Sequence, residues 1–246
     1  MNRTIHSVGP RTVTTVTNSE TKITPATNRE GRIECQVWNT GTVDITVRAA
    51  NIVDGAPSMT VITDGTVLIP AGADRPFAFA DLGTGTGAIL LALLSELHGA
   101  VGTGTDISQE AMETARGNAA RLGLADRASF IRCDYAAGLT GPFDLIVSNP
   151  PYVRSGDIAG LAVEVRDHDP RAALDGGPDG LDAYRTLIPQ AARILAPGAV
   201  LVVEAGQGQA GKIEGLMTAA GLTPHPSPKA DLGGIPRAVG ARKMPR

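Results

Sequence analysis

The pattern of apolar and polar positions along the chain changes at residue 77. Beyond it, short apolar runs alternate with stretches whose apolar residues recur at helical spacing. Buried strands are predicted at 77–82, 101–105, 128–133, 143–148 and 199–204, helices at 88–97, 109–122, 181–195 and 209–220, and a closing hairpin at 222–227 with 238–243. Strands that alternate with helices are typical of a doubly wound, mainly parallel α/β sheet.

The first part of the chain has a different pattern. Residues 12–17, 33–37 and 43–47 alternate apolar side chains with others, and turn-forming dipeptides such as Asp54-Gly55 lie between and after these segments. This pattern predicts a small antiparallel β module at 31–74, behind a polar tail at 1–30 for which the composition leaves disorder open. The α/β domain is then expected at 75–246.

The strand predicted at 143–148 ends in a rigid polar tip, Asn149-Pro150-Pro151-Tyr152. The two prolines fix φ and remove two backbone donors, so the Asn149 amide and the Pro150 carbonyl are expected to project from the strand end. Open α/β sheets bind ligands at the carboxyl ends of their strands. Two acceptors beside an aromatic ring therefore predict a site that holds a planar NH2 group by both hydrogens.

A glycine-rich loop, residues 83–87, joins the strand at 77–82 to the helix at 88–97. In this arrangement the backbone approaches a ligand closely and the helix N-terminus faces it. Acids stand at three successive strand ends: Asp81, then Asp106, placed to accept two ribose hydroxyls, then Asp134, which with Tyr135 would lie beside an adenine. Each acid alone is explained as well by a solvated turn. The three together favour a nucleoside site.

These motifs together resemble an S-adenosylmethionine-dependent methyltransferase. The match continues through Glu164-Val165, Asp169-Pro170-Arg171-Ala172-Ala173-Leu174, residues 176–182 and Tyr184-Arg185, and in this region the chain resembles the HemK/PrmC family of release-factor glutamine methyltransferases. Asn-Pro-Pro-Tyr is shared with adenine and cytosine amino-methyltransferases. The segment from Glu164 to Arg185 is what favours the glutamine family.

The resemblance implies a seven-stranded, Rossmann-like methyltransferase sheet whose last strand is antiparallel, with S-adenosylmethionine as cofactor. It implies catalytic roles for Asn149, Pro150 and Tyr152. Substrate-binding roles are implied for Asn149, Pro150, Pro151, Tyr152, Glu164 and Arg171. Cofactor contacts are implied for Asp81, Gly83, Thr84, Gly85, Thr86, Gly87, Asp106, Ile107, Asp134, Tyr135 and Asn149.

One departure from the family lies upstream of residue 77. Family members carry an N-terminal helical domain, then a segment of the form Val-Leu-Ile-Pro-Arg-Pro-Glu-Thr that opens a helix. Here Val67-Leu68-Ile69-Pro70 is followed by Ala71-Gly72-Ala73-Asp74, and the next strand starts at Phe77. The way in which a protein substrate is recognised therefore stays open, as does the effect of the missing segment on activity.

Composition narrows the function classes. The chain has 246 residues and a formal net charge of -3, so its electrostatics give no reason to expect tight nucleic-acid binding. Its two cysteines and four histidines form no metal-like spacing, and no metal is expected. It contains no apolar run of membrane-spanning length and no signal peptide, so a cytoplasmic location without a membrane partner is expected.

The function that we expect is methyl transfer from S-adenosylmethionine to the side-chain amide nitrogen of a glutamine, with the Gly-Gly-Gln motif of a peptide-chain release factor as substrate. The charged segment 153–180, directly after Tyr152, is the expected substrate lid. Three alternatives stay open: a ribosomal-protein glutamine methyltransferase, a nucleic-acid adenine amino-methyltransferase, and a β-rich binding module fused to an inactive methyltransferase.

Overall fold

The structure is a computed structural model that describes residues 76–166, 170–230 and 234–245, and, before them, five separate strands. The side chains of these five strands, and those of residues 164 and 165, lie outside the description. The five strands are Thr15–Val16 (β1), Thr21–Thr27 (β2), Ile33–Trp38 (β3), Asp44–Ala50 (β4) and Val67–Pro70 (β5).

The first sheet has the strand order β1-β2-β3-β4-β5. Its pairs are antiparallel except β4 with β5, which run parallel. Strands β1 and β2 lie within residues 1–30, the segment in which the sequence analysis places a polar tail. The division of the chain at residues 30 and 74 stays a prediction.

The second sheet confirms the predicted α/β architecture. Its strands are Phe77–Leu82 (β6), Ala100–Asp106 (β7), Ala128–Arg132 (β8), Phe143–Ser148 (β9), Leu195–Glu204 (β10), Leu222–Pro224 (β11), Lys229–Ala230 (β12) and Pro236–Lys243 (β13). The order is β11-β13-β10-β9-β6-β7-β8, with the two-residue β12 beside β13. Strands β6 to β10 are parallel, and β13 is antiparallel to both neighbours in this order, as the resemblance implies.

Helices connect these strands close to the predicted positions. They are Ala88–Glu96 (α1), Gln109–Arg121 (α2), Val163–Arg166 (α3), Arg171–Leu174 (α4), Asp182–Ile194 (α5) and Ala210–Ala219 (α6). The two short helices α3 and α4 lie inside the segment predicted as a long loop. The bounds of the other four differ from the predicted ones by one residue at most at each end.

The core is built on the central strands, which are buried on both faces. Leu145, Ile146 and Val147 of β9 have no exposed surface, nor do Leu187 and Ile188 of helix α5. Such continuous apolar runs suit a parallel sheet that is covered by helices on both sides. The sheet edge that carries the candidate site residues is therefore supported by a tightly packed core.

Close packing explains why β7 contains glycines. A Cβ added to Gly102 would come within 2.8 Å of Leu90 Cδ1 and 2.9 Å of the Phe79 ring, and one added to Gly104 within 3.0 Å of Thr84 and Phe130. Helix α1 and the loop before it lie too close to this strand for a larger side chain. The glycine content of β7, unusual for a strand, is thus the condition for close helix-to-sheet packing.

Within the described residues, no helix combines the length and the apolar composition needed to cross a membrane. In the same part of the chain, no group of three or more His, Cys, Asp and Glu side chains is arranged to hold a metal ion.

The buried hydroxyl of Tyr184 offers a test of the packing at the end of β10. It donates a hydrogen bond of 2.6 Å to the Glu204 carbonyl oxygen. We expect Tyr184→Phe to lower the free energy of unfolding by about 1–2 kcal/mol, because a buried carbonyl loses its partner. Urea denaturation measures the change. Thr186→Val removes an exposed hydroxyl from the same helix and is expected to stay within about 0.5 kcal/mol of wild type; equal losses in the two variants would contradict the prediction.

Candidate active site

Four neighbouring parallel strands end at one edge of the second sheet and bring the candidate residues together. Asp81 is the penultimate residue of β6, Asp106 ends β7, Asp134 lies just after β8 and Asn149 directly follows β9. The pairing of β8, β7, β6 and β9 places these strand ends side by side. This edge is where ligands bind in open α/β sheets.

The glycine loop depends on left-handed backbone conformations. Gly83, Gly85 and Gly87 have φ of 74°, 55° and 81°. A Cβ on Gly87 would approach Ala115 and Leu91 at 3.2 Å, so this glycine lets helices α1 and α2 pack. A Cβ on Gly85 would meet nothing within 4 Å. The space that a ligand could use therefore lies at Gly85, in the middle of the loop.

Thr84 and Thr86 hold the loop in place through bonds within the protein. The Thr84 hydroxyl donates to Asp81 Oδ2 at 2.7 Å, and its backbone N–H donates to the Thr105 carbonyl at 2.8 Å. The Thr86 carbonyl accepts a bond of 2.8 Å from Asn118 Nδ2 on helix α2. Thr84 is buried, whereas the Thr86 side chain is exposed.

Asp81 is a buried acid at the base of this loop. Its Oδ2 accepts from Thr84 and from the Leu90 N–H in the first turn of α1, so the protein's own carboxylate uses a free N–H of that helix. Its Oδ1 is buried and, within the described residues, has no hydrogen-bond partner. Burial raises the pKa of Asp81 to about 6 against the bonds from Thr84 and Leu90, and nearby Asp106 raises it further.

Asp106 links the ends of β6 and β7. Its Oδ2 accepts from the Gly85 N–H and its Oδ1 from the Ser108 N–H, both at 2.9 Å. A carboxylate has more than two acceptor positions, so it can accept further bonds from a ligand. The adjacent Ile107 is 56% exposed, which leaves an apolar surface beside the acid.

Tyr135 lies against the glycine loop from the other side. Its backbone is left-handed, with φ of 48°, and the next residue is anchored by a bond of 2.8 Å from the Ala136 N–H to Gln190 Oε1. Its ring comes within 3.7 Å of a Cβ placed on Gly83. Burial raises the pKa of Tyr135 to about 12, so the phenol stays neutral. The preceding Asp134 is exposed at the same edge.

Asn149 leaves the sheet beside the glycine loop. The buried Ser148 hydroxyl donates a bond of 2.6 Å to the Leu82 carbonyl, which joins the last residues of β9 and β6. Asn149 directly follows β9, and Gly83 directly follows β6. Pro150 is buried and Asn149 is half-buried. In the described part of the chain, no hydrogen bond of the protein uses the Asn149 side chain, so its amide is free to bind a ligand.

Tyr152 is anchored by its hydroxyl. The hydroxyl donates to Glu204 Oε1 at 3.2 Å, and a Cβ on Gly206 would come within 3.1 Å of the ring. Burial, and then the nearby Glu204 carboxylate, raise the pKa of Tyr152 to about 12. The Tyr152 side chain is therefore neutral and is held at its hydroxyl end by Glu204.

Residues 153–155, directly after the tip, pair with residues 174–177. The Val153 N–H donates to the Leu174 carbonyl, the Gly176 N–H to the Val153 carbonyl, and the Ser155 hydroxyl to Asp175 Oδ1 at 2.6 Å. Arg171 pairs with Asp175 at 3.3 Å, and its side chain is 73% exposed. Glu164 lies in α3, and its side chain lies outside the described residues. A substrate contact by either residue stays a prediction.

Comparisons with known proteins agree with this geometry. The methyltransferase small domain family matches residues 58–166. A release factor glutamine methyltransferase from Bradyrhizobium diazoefficiens is 68% identical over 166 residues, which are 68% of this chain and 56% of that protein. Proteins of the same description from Rhodospirillum rubrum and Caulobacter vibrioides are 55% and 48% identical, over 66% and 70% of this chain and 50% and 60% of theirs.

The chain belongs to the HemK/PrmC methyltransferase family. It spans 50% to 60% of the length of these three relatives. The crystal structure of a methyltransferase from Pyrococcus furiosus superposes with a TM-score of 0.53, at 19% identity, over 69% of this chain and 76% of that one. The structural match shows that the HemK/PrmC chain shares the methyltransferase fold.

Two residues of this HemK/PrmC site were missed by sequence reasoning. Glu204 ends β10 and is 5% exposed, and applying the strand-end rule to β10 as well would have identified it. Gln209 is 7% exposed and bonds to three segments of the site edge. No pattern in the sequence distinguishes Gln209 from a surface glutamine at the start of a helix.

The buried Asp81 of this HemK/PrmC chain predicts a pH dependence of stability. An unfolded Asp loses its proton near pH 4, whereas the folded one holds it to about 6. The native state therefore binds more protons between these values, and its stability falls as pH rises from 4 to 6. Asp81→Asn removes this titration, so its stability relative to wild type is expected to rise by about 3 kcal/mol between pH 4 and 7.

Urea denaturation across this pH range measures the difference between the two proteins. Asp157→Asn, which removes an exposed carboxylate, controls for the change in net charge. A difference between wild type and Asp81→Asn that stays constant with pH would contradict the raised pKa of the buried Asp81 carboxyl.

Proposed function

We propose that the chain transfers a methyl group from S-adenosylmethionine to the side-chain amide nitrogen of a glutamine in a protein, with the Gly-Gly-Gln motif of a peptide-chain release factor as substrate. The observation that carries this proposal is the Asn149 amide, unused by any hydrogen bond of the described residues and placed beside the glycine loop. The relatives described as release factor glutamine methyltransferases support the substrate. A cytoplasmic location, where translation ends, is part of the same proposal.

The residues at the strand ends fit the cofactor. S-adenosylmethionine, when bound, supplies the methyl group on its sulfonium. The unpaired Asp81 Oδ1 suits a cationic group, and the open space at Gly85 admits a ligand to the loop backbone. The Asp106 carboxylate is placed for ribose hydroxyls, with exposed Ile107 beside it to pack against the base. We assign Asp134 and Tyr135 to the adenine side of the same site.

The tip of β9 supplies the chemistry on the substrate side. An amide nitrogen is a poor nucleophile because its lone pair is delocalised. Asn149 Oδ1 and the Pro150 carbonyl accept its two hydrogens, orient the nitrogen and stabilise positive charge as it develops. The bond from nitrogen to the methyl carbon would form as the carbon–sulfur bond breaks, the sulfur would leave as a neutral thioether, and the nitrogen would then release one proton to water. The neutral Tyr152 ring packs beside the amide and excludes water. Pro151 keeps the tip rigid, because both prolines restrict the backbone.

Substrate identity is tested by incubating the chain with labelled S-adenosylmethionine and either a release factor or total ribosomal protein. We expect label on the release factor, and mass mapping is expected to place it on the glutamine of Gly-Gly-Gln. Label on a ribosomal protein alone would show that the chain methylates that protein and not a release factor. Label in DNA or RNA would establish the nucleic-acid alternative, and failure of the chain to bind the cofactor by calorimetry would overturn the enzymatic proposal.

Asn149→Ala tests the amide clamp. We expect kcat to fall on the order of 10²- to 10³-fold, because an acceptor aimed at developing charge is lost. Cofactor affinity by calorimetry is expected to change by less than about threefold, since most proposed cofactor contacts lie on other strands. Gln109→Ala, at an exposed residue of α2, is the control variant and is expected to keep the wild-type kcat. Methylation at an undiminished kcat in Asn149→Ala, with cofactor binding unchanged, would exclude the clamp.

A further inference from the structure

Gln209 joins three segments at the edge of the candidate site. Its Nε2 donates to the Tyr152 carbonyl at 3.0 Å and to the Gly180 carbonyl at 3.2 Å. Its Oε1 accepts from the Gly206 N–H at 2.9 Å. The buried Gln209 amide thus bonds through both hydrogens and its oxygen to three stretches of backbone. These are the tip after β9, the end of the 153–180 segment and the residues after β10.

The backbones around this amide are packed as closely as glycine allows. A Cβ on Gly180 would come within 2.5 Å of both Gln209 Nε2 and the Tyr152 carbonyl oxygen, and one on Gly206 within 2.6 Å of Gln209 Oε1. A Cβ on Gly176 would come within 2.8 Å of the Pro151 carbonyl oxygen. A side chain at Gly176, Gly180 or Gly206 would therefore push apart the segments that Gln209 joins.

The position of these bonds relates Gln209 to the tip. The Tyr152 hydroxyl is held by Glu204 and its carbonyl by Gln209, so the last residue of Asn149-Pro150-Pro151-Tyr152 is held at both ends. The two prolines transmit this constraint rigidly toward Asn149. The same amide holds Gly180, the end of the 153–180 segment.

We infer that Gln209 is a positioning residue that sets the geometry of the Asn149 tip and couples it to the 153–180 segment. The inference rests on the proposed function for its catalytic consequence. Because Gln209 contacts Tyr152 and Gly180 but none of the residues assigned to the nucleoside, it acts on the orientation of the acceptor amide and leaves cofactor binding intact.

Gln209→Glu is the sharpest variant. The side chain keeps its size and an acceptor for the Gly206 N–H, but it loses both donors and turns a carboxylate oxygen toward two carbonyl oxygens. We expect kcat for methylation of a release factor to fall on the order of 100-fold, because small displacements of a reacting group have effects of this size. Cofactor affinity is expected to change by less than about threefold, because Gln209 contacts none of the residues assigned to the nucleoside.

Gln207→Glu is the matched control, since it adds the same charge in the same turn at an exposed side chain. It is expected to keep wild-type kinetics. Should Gln209→Glu fail to fold, Gln209→Met removes all three bonds without adding charge and is judged by the same readouts. A kcat for the Gln209 variants equal to that of Gln207→Glu would overturn the inference, as would a loss of cofactor affinity parallel to the loss of kcat.

Hydrogen–deuterium exchange separates this inference from the proposed function. In the Gln209 variants we expect faster exchange at the amides of residues 153–155 and 176–182, and unchanged exchange there in Gln207→Glu. A wild-type chain that methylates no glutamine would refute the proposed function, while the exchange pattern would still decide whether Gln209 holds the two segments. Unchanged exchange in the Gln209 variants would refute the coupling itself.

Discussion

The parallel exit of β6 and β9 from the sheet is the constraint on which the candidate site depends. Backbone pairing aligns Asp81 with Val147, and the Ser148 hydroxyl extends the contact to the Leu82 carbonyl. Beyond that bond the backbones diverge: β6 continues into the glycine loop and β9 into the proline tip. The glycine loop and the proline tip are thus placed together by strand pairing and by the Ser148 hydroxyl.

Two kinds of anchoring hold what lies beyond that point. The glycine loop is held by Asp81, a buried carboxylate whose ionisation costs stability and whose second oxygen has no hydrogen-bond partner among the described residues. Such unfavourable burial is typical of functional sites, where a ligand supplies the missing interaction. The proline tip is held by neutral groups, Gln209 on its carbonyl and the phenol of Tyr152 on Glu204. The loop is therefore suited to respond to a ligand and the tip to remain rigid.

The helices and strands from residue 77 onward follow from local pattern, and the structure places them close to their predicted bounds. Asp81, Asp106, Asp134 and Asn149 could be selected because a strand end is visible in the sequence as a polar residue after an apolar run. The same rule would have reached Glu204. It could not reach Gln209, because its role comes from two carbonyl groups that lie 57 and 29 residues away along the chain.

Local sequence by itself determined the architecture of the second sheet and the family, because apolar periodicity and short motifs are properties of neighbouring residues. Tertiary structure alone decided how each candidate is used. Thr84 and Gly87 serve the packing of the loop, Asp81 accepts from an N–H of the helix N-terminus that was predicted to face a ligand, and Arg171 pairs with Asp175. Burial and hydrogen-bond competition are set only when the elements pack, whether the partners are near in the chain, as Arg171 and Asp175 are, or distant, as Gly87 and Ala115 are.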